Sequence, residues 1–389
     1  MTAPAFSFDA LRRQPDIEGP SLVAVDASDR LILDEAASAL DACPAGGLVV
    51  VGDRYGALTL GAAALHGAHG IRTVQDALNG ERALALNAER TGLTGTFTSV
   101  GLDAAGLTDA RVVLVQLPRS LDALDEIAAL VAAHADPGVV VVAGGRLKHM
   151  TRAMNDVLGR YLTTVEARLA RQKSRVLVAS GVRAADGPQA GGGPATVRWP
   201  ASEHHADLDL TVCAHGAAFA GTRVDHGTRI LAGHLAAMAP AATTAVDLGC
   251  GTGVLAVLLA RARPGLAVTA TDDSAAAVAS ARATAAANGV AGQVTVVRDD
   301  VLVSMPDASA DLVVLNPPFH LGATVHTGVA HRMFADAGRV LRPGGELWCV
   351  WNSHLQYRPA LERAVGPTRQ ASRTPTFTVT VSTRPTVGA

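Results

Sequence analysis

Val246-Asp247-Leu248-Gly249-Cys250-Gly251-Thr252-Gly253 carries an apolar run straight into a row of alternating glycines. A buried strand over Thr244 to Leu248 delivers the chain into a tight turn there. Glycines take positive φ and let a ligand approach the backbone closely. A helix is expected from Val254 to Arg261, so its N-terminal amides face the same space. A nicotinamide site would use G-x-G-x-x-G, with pyrophosphate on the helix N-terminus. The frame here is Asp-x-Gly-x-Gly-x-Gly instead.

Outward from this turn the pattern alternates. Ala267 to Thr271 reads as a strand, Ala275 to Asn288 as a helix, and Val294 to Val297 and Asp311 to Leu315 as strands. Val329 to Val340 is an expected helix and Gly345 to Trp351 a strand, with Phe377 to Ser382 a candidate antiparallel strand. Leu208 to Cys213 is expected to open this half. The first half repeats the scheme: strands at Gly47 to Val51, Arg111 to Leu117 and Val139 to Ala143, helices at Ala57 to Leu65 and Leu121 to Ala133. Strand, helix, strand in succession implies a parallel sheet covered on both faces. The expected fold is therefore α/β: two tandem Rossmann-like doubly wound domains, plausible as an ancient duplication. Ser180 to Pro194, rich in Gly, Pro and Ala, has turn chemistry and nothing to bury, so it reads as a linker or mobile loop. The expected domains are 1–180 and 201–389, with 181–200 between them.

Composition narrows the class. Charged residues are 17% and apolar residues 49%, which suits a globular chain with ample core. Lys148 and Lys173 are the only lysines, so nearly all positive charge is arginine, a bias of composition more than of chemistry. The net charge of -2 gives no global attraction to nucleic acid, so RNA binding would need a local patch. Cys43, Cys213, Cys250 and Cys349 lack C-x-x-C spacing, which argues against a zinc site or a disulfide framework. No signal-peptide core stands between Met1 and Pro20, and no apolar run is long enough to span a bilayer. The cytoplasm is the expected compartment, with no metal and no membrane partner.

The glycine frame resembles motif I of class I methyltransferases, which implies S-adenosylmethionine as the ligand. Asp272 follows the next strand about twenty residues on, where a carboxylate can accept both ribose hydroxyls. Asp273 beside it could instead cap the helix near Ser274. In that family an acidic residue after the third strand meets the adenine amino group, which points to Asp300, with Asp299 as the alternative. Asn316-Pro317-Pro318-Phe319 ends the fourth strand. An aminopurine or amide nitrogen is a poor nucleophile because its lone pair is delocalised. The Asn316 side-chain carbonyl and the Pro317 backbone carbonyl can each accept one of its N–H bonds, drawing it toward a tetrahedral form. Pro318 stiffens the turn, and Phe319 can stack on a planar substrate.

The whole resembles the two-domain ribosomal RNA guanine-N2 methyltransferases over most of its length. The resemblance rests on the glycine motif, on Asn316-Pro317-Pro318-Phe319-His320, on Phe219 to Gly227, and on Asn352-Ser353-His354-Leu355-Gln356-Tyr357. The last segment is closer to the branch acting on large-subunit RNA. The resemblance implies methyl transfer to the N2 amine of a guanine in ribosomal RNA, by Asn316, Pro317, Pro318 and Phe319. The implied cofactor contacts are Asp225, Gly227, Asp247, Gly249, Cys250, Gly251, Gly253, Asp272, Asp300 and Asn316. Adenine N6 or a protein glutamine amide would suit the same corner. A non-catalytic RNA-binding or assembly factor is the rival of another class, against which the intact motif residues speak.

The first half keeps the skeleton without the chemistry. Val50-Val51-Gly52-Asp53-Arg54-Tyr55-Gly56 stands where the glycine frame would be, and Gln116-Leu117-Pro118-Arg119 stands at the catalytic turn. This half is expected to be degenerate, to bind no S-adenosylmethionine, and to grip RNA instead. Eight Lys or Arg residues lie between Arg146 and Arg175 against Asp156 and Glu166, a candidate phosphate surface. The bland alternative is a solvated helical face. His204-His205 is expected in a loop, His320 beside the substrate, and Trp348 and Trp351 in the core.

Overall fold

The computed structural model describes residues 6–19, 22–183, 199–318 and 326–386. The chain divides into two compact units, Met1–Trp199 and Pro200–Ala389. In the first unit, α1 (Ala27–Asp41) precedes β1 (Leu48–Val51), α2 (Ala57–His66), β2 (Ile71–Val74), α3 (Leu78–Thr91) and β3 (Phe97–Val100). Then come α4 (Ala104–Leu107), β4 (Val112–Gln116), α5 (Leu121–His134), β5 (Val140–Arg146), α6 (Arg152–Tyr161), β6 (Leu162–Ala167) and β7 (Ser174–Val182). The strand order is β3-β2-β1-β4-β5-β7-β6, with β7 antiparallel to both neighbours. Helix α1 starts on a reciprocal cap: Asp26 accepts from the first-turn backbone, and Asp29 accepts from the Asp26 amide.

The second unit opens with the hairpin β8 (Ala201–His205) and β9 (Leu210–Ala214), followed by α7 (His226–Ala232). Next come β10 (Thr244–Leu248), α8 (Val254–Ala262), β11 (Ala267–Asp272), α9 (Ala275–Ala287), β12 (Val294–Arg298) and β13 (Ala310–Leu315). The unit ends with α10 (His326–Val340), β14 (Leu341–Asn352), α11 (Arg358–Ala364), β15 (Thr368–Arg373) and β16 (Phe377–Thr383). Its sheet runs β12-β11-β10-β13-β14-β16-β15. That is the same order as in the first unit, strand for strand.

Alternation along β13 shows why such a sheet needs both faces covered. Leu312 and Val314 join the core under α8 and α9, while Val313 and Leu315 join the core under α10 and α11. Trp348 fills the first of these cores and Phe334 the second, both almost wholly buried. Burying a side chain of Phe size contributes roughly 1.5–3 kcal/mol. The two tandem Rossmann-like layers expected from the sequence are therefore present.

Three expectations are corrected. Strand β7 continues through Val182, past the expected start of the linker, because it pairs along β5 and β6; 184–198 lie outside the described residues. His204 and His205 are not in a loop but in β8, held by pairing to Thr211 and Leu210. The basic run from Arg146 to Arg175 is not one helical face, since it passes through the end of β5, α6, β6 and the start of β7. No helix among the described residues is long and apolar enough to cross a membrane.

Candidate active site

Strand β10 ends where the glycine frame begins. Gly249, Gly251 and Gly253 take φ of 70°, 52° and 79°, so all three are left-handed. The amides of Gly249 and Cys250 both donate to the Thr271 carbonyl at 2.9 Å, which fastens the bend to the end of β11. The three glycines do different work. A Cβ at Gly253 would lie 2.9 Å from the Ala281 Cβ, so this glycine lets α8 pack on α9. A Cβ at Gly249 would meet the Met333 side chain at 3.0 Å, whereas one at Gly251 would meet nothing within 4 Å. Space therefore stands open above Gly251.

Carboxylates frame this bend. Asp272 accepts from the Gly251 amide at 2.9 Å through one oxygen and from the Ser274 amide at 3.0 Å through the other. The cap of α9 is Ser274 itself, accepting from the Ala277 amide, so the capping role considered for Asp273 belongs to its neighbour. Asp247 is buried and accepts from the Ala256 amide at 2.9 Å. Burial pushes its pKa up to about 7, the Ala256 bond opposes the shift, and the nearby Asp272 charge adds to it. Asp299 is committed to the turn after β12, where it accepts from both the Ser304 amide and hydroxyl. Asp300 is buried and pairs with Arg332 on α10 at 2.8 Å.

Leu248 pairs with Leu315 across β10 and β13, so the residues that follow them, Gly249 and Asn316, leave the sheet side by side. The Asn316 amide is oriented by its surroundings. Its Nδ2 donates to the Asp225 carboxylate at 2.8 Å and to the Thr228 hydroxyl at 3.0 Å. A carboxylate can only accept, so the nitrogen must face Asp225 and the oxygen must face away. Asn316 Oδ1 is buried without a hydrogen-bond partner, the only such side-chain atom among the described residues of the second unit. Gly227 abuts this amide: a Cβ there would stand 3.2 Å from Oδ1 and 3.1 Å from the Asp225 carboxylate. Asp225 is also the N-cap of α7, accepting from the Thr228 amide. Pro317 is buried and Pro318 exposed; Phe319 and His320 lie outside the described residues.

The structure thus brings Asp225, Gly227, Asn316 and Pro317 to one corner, next to the bend formed by Gly249, Cys250 and Gly251, with Asp272 on its rim. Asp247 and Gly253 face inward and shape the bend from beneath. The helix start at Asp225 is legible in the sequence as an N-cap, whereas the bond from Asn316 to the Thr228 hydroxyl is not. Arg332 and Thr271 carried no signal of their own. Among the described residues no group of three or more His, Cys, Asp or Glu is placed to hold a metal ion.

The first unit carries other residues at the corresponding positions. Gln116 ends β4, as Asn316 follows β13. Its Nε2 donates to Asp29 at 2.8 Å and to the Ser28 hydroxyl at 3.0 Å, both on the first turn of α1. Gln75 follows β2, where the second unit has Asp272, and its amide donates to the Asp53 carbonyl. Tyr55, in the place of the glycine frame, is buried, with its hydroxyl on Asp16 at 2.6 Å. Gln75 and Tyr55 are thus engaged by residues of their own unit.

Comparison with known proteins agrees across both units. Residues 209–381 match the methyltransferase small domain, and residues 2–183 match the RLMG N-terminal domain. The chain is similar to a ribosomal RNA large subunit methyltransferase G of Streptomyces coelicolor, 36% identical over 92% of this chain and 93% of the relative. A protein of the same name from Pseudomonas aeruginosa is 35% identical over 95% of this chain and 96% of its own length. Among solved structures, a T. thermophilus 16S rRNA N2 methyltransferase in complex with AdoMet and guanosine superposes with a TM-score of 0.71. It covers 95% of this chain and 97% of that one at 20% identity, a likeness of fold.

Proposed function

The chain belongs to the ribosomal RNA large subunit methyltransferase G family, and we propose on that footing that it methylates the exocyclic N2 of one guanine in large-subunit ribosomal RNA. The observation that carries the chemistry is the divided amide of Asn316. Its nitrogen is spent on Asp225 and Thr228, and its buried oxygen has no donor. A buried acceptor without a partner costs about 1–3 kcal/mol, and an incoming N–H group removes that cost.

The bend suits S-adenosylmethionine by its own features: open space over Gly251, left-handed glycines at its floor, and a carboxylate on its rim. Gly249, Cys250 and Gly251 would hold the amino-acid end, Asp272 the ribose hydroxyls and Asp300 the adenine. Bound there, the cofactor supplies an electrophilic methyl group. Asn316 Oδ1 accepts one N–H of the guanine amine, and the Pro317 carbonyl accepts the other. The two acceptors fix the amine's orientation before reaction, which is worth more in a water-poor corner than in bulk water. Asp225 and Thr228 act through Asn316 by holding its amide in one orientation. No strong base is needed, because the amine proton becomes acidic once the nitrogen is alkylated. Pro318 stiffens the corner, and Phe319 is the proposed stacking partner of the base. A paired guanine hides this amine, so the target must be unpaired or flipped out.

The first unit is proposed to grip RNA, on a surface that keeps Lys148 of the basic run and adds Arg54 and Arg119 from outside it. Arg168 and Arg171 form ion pairs with Glu35, Glu166 and Asp34, so their charge is largely answered. Exposed cations gather instead at the carboxyl edge of the sheet: Arg54 after β1, Arg119 after β4, and Lys148 after β5. His149 among them is held below its ordinary pKa by partial desolvation and by the cations Arg119, Lys148, Arg146 and Arg54. The cytoplasm, where ribosomal RNA is reached, is the proposed compartment. Mass-spectrometric mapping of ribosomal RNA from a deletion strain tests the function. One N2-methylguanine should disappear from large-subunit RNA and return with the gene. Loss of an adenine N6 mark, of a protein glutamine mark, or of a small-subunit mark alone would reject it.

A further inference from the structure

Beyond the methyl-transfer corner, the second unit has a cleft of about 250 Å³ at the same edge of the sheet. It is lined by Trp351 near the end of β14 and Ser353 just after that strand, Gln356 and Arg358 at the start of α11, and Gln370 and Arg373 from β15. No carboxylate lines it. Both arginines are exposed. Arg358 shares its charge with Glu362 one helical turn on, while Arg373 has no ion pair among the described residues. Charges on an edge strand such as β15 ordinarily keep the edge from pairing with other chains. Here Arg373 and Arg358 line one cleft together with Trp351 and the amide side chains of Gln356 and Gln370.

The segment that builds this floor is Asn352 to Tyr357. Gln356 within it takes φ of 50°, a left-handed conformation that disfavours any residue but glycine. The turn is clamped on both sides: Tyr357 is buried against Phe334 and Trp351, and the Trp351 indole donates to the Thr380 hydroxyl at 3.2 Å. The strained residue thus sits between two fixed points and holds its amide at the cleft.

Position relates the cleft to the corner. Leu315 pairs with Cys349, so Asn316 leaves the sheet beside the stretch of β14 that runs on through Trp351. Thr378, on the cleft wall, pairs with Trp351 one strand further over. Arg373 pairs with Thr378 from the next strand again, β15, so its backbone lies three strand spacings, about 14 Å, from the corner, and its long side chain reaches back over the cleft toward a neighbouring phosphate.

We propose that this cleft is the subsite for the nucleotide adjoining the target guanine, with Arg358 and Arg373 on its phosphate and Gln356 and Gln370 on its ribose or base edge. The proposal rests on the RNA-methylation reading above. The volume lies just below the roughly 300–1,000 Å³ of pockets that enclose a drug-sized ligand, so it takes part of one nucleotide and leaves the base partly outside. Planar guanidinium groups suit phosphate bidentately, and amides suit hydroxyl and base edges.

The test uses the full chain and large-subunit ribosomal RNA as substrate. Arg358→Ala/Arg373→Ala should raise KM for RNA about tenfold, with kcat at saturating RNA falling less than twofold. The dependence of log KM on log salt should become shallower by about 1.4, as expected for two lost contacts to single-stranded phosphate. Arg373→Lys in place of alanine should recover most of the loss, and S-adenosylmethionine affinity by calorimetry should match wild type in every variant. Wild-type KM and salt slope in the double variant would overturn the subsite while leaving methylation standing. A loss falling on kcat alone would overturn it too. A wild-type chain that methylates no ribosomal RNA would overturn the function reading, and this one with it.

Discussion

Replacing Asn316 by alanine removes the one acceptor that the corner holds ready. The Pro317 carbonyl remains, so the amine keeps one of its two partners. Removing one preorganised hydrogen-bond group of this kind costs about 10²–10³ in kcat, or roughly 2.7–4 kcal/mol. The effect on folding should be far smaller. The variant loses a charged hydrogen bond at 2.8 Å and a neutral one at 3.0 Å, worth about 1.5–3 and 0.5–1.5 kcal/mol. It also loses a buried unpaired acceptor, which returns about 1–3 kcal/mol. The net is about 1 kcal/mol, a fall in melting temperature of roughly 2–4 °C for a unit of this size. Single-turnover transfer from labelled S-adenosylmethionine to ribosomal RNA reads the first number. Calorimetry should show cofactor affinity within threefold of wild type. A turnover rate within fivefold of wild type would refute the two-acceptor argument.

Calorimetry on the full chain should find one cofactor site per chain; Asp272→Ala should weaken it at least tenfold and Asp273→Ala hardly at all, and the reverse order would reassign the ribose contact. Asp247→Asn keeps an oxygen for the Ala256 amide and removes an ionisation. The folded pKa of about 7 lies above the unfolded value of 3.8, so stability is full below pH 4 and is lost as pH rises through 7, at about 1.4 kcal/mol per unit. The variant should therefore melt higher than wild type at pH 8.5 and equally at acid pH, and melting curves that stay parallel at both would contradict the buried-carboxylate account. Arg54→Ala/Arg119→Ala should weaken RNA binding and flatten its salt dependence more than Arg168→Ala/Arg171→Ala, measured by anisotropy on labelled RNA; equal effects would return the candidate surface to the earlier run.

What was legible in the sequence was whatever local chemistry alone dictates. The buried run into Gly249, Gly251 and Gly253 could only be a strand, a left-handed bend and a helix. Asn316-Pro317-Pro318 after an apolar strand could only be a rigid corner. Helix α1 passed unremarked although Asp26 and Asp29 form its cap, a signal that was there to be read. Strand β15 could not be seen, because Thr-Arg-Gln-Ala-Ser-Arg has the polarity of an exposed edge and owes its pairing to β16. Strand β8 reads as a loop in the sequence for the same reason: His204 and His205 are polar, and only β9 makes them a strand. Strand β14 begins at Leu341, four residues before the expected Gly345, because an irregularity opposite Ala310 and Leu312 accommodates Pro343 and Gly344. In the site itself, the order in which Asp225, Thr228 and Asn316 share hydrogens is a tertiary fact. So is the pairing of Asp300 with Arg332, which no spacing reveals.

The most direct measurement is a crystal structure of the chain with S-adenosylhomocysteine and guanosine. The account predicts the guanine N2 within hydrogen-bond distance of both Asn316 Oδ1 and the Pro317 carbonyl, with the cofactor's amino-acid end over Gly251. A base lying elsewhere, or an Asn316 amide turned so that its oxygen faces Asp225, would contradict it.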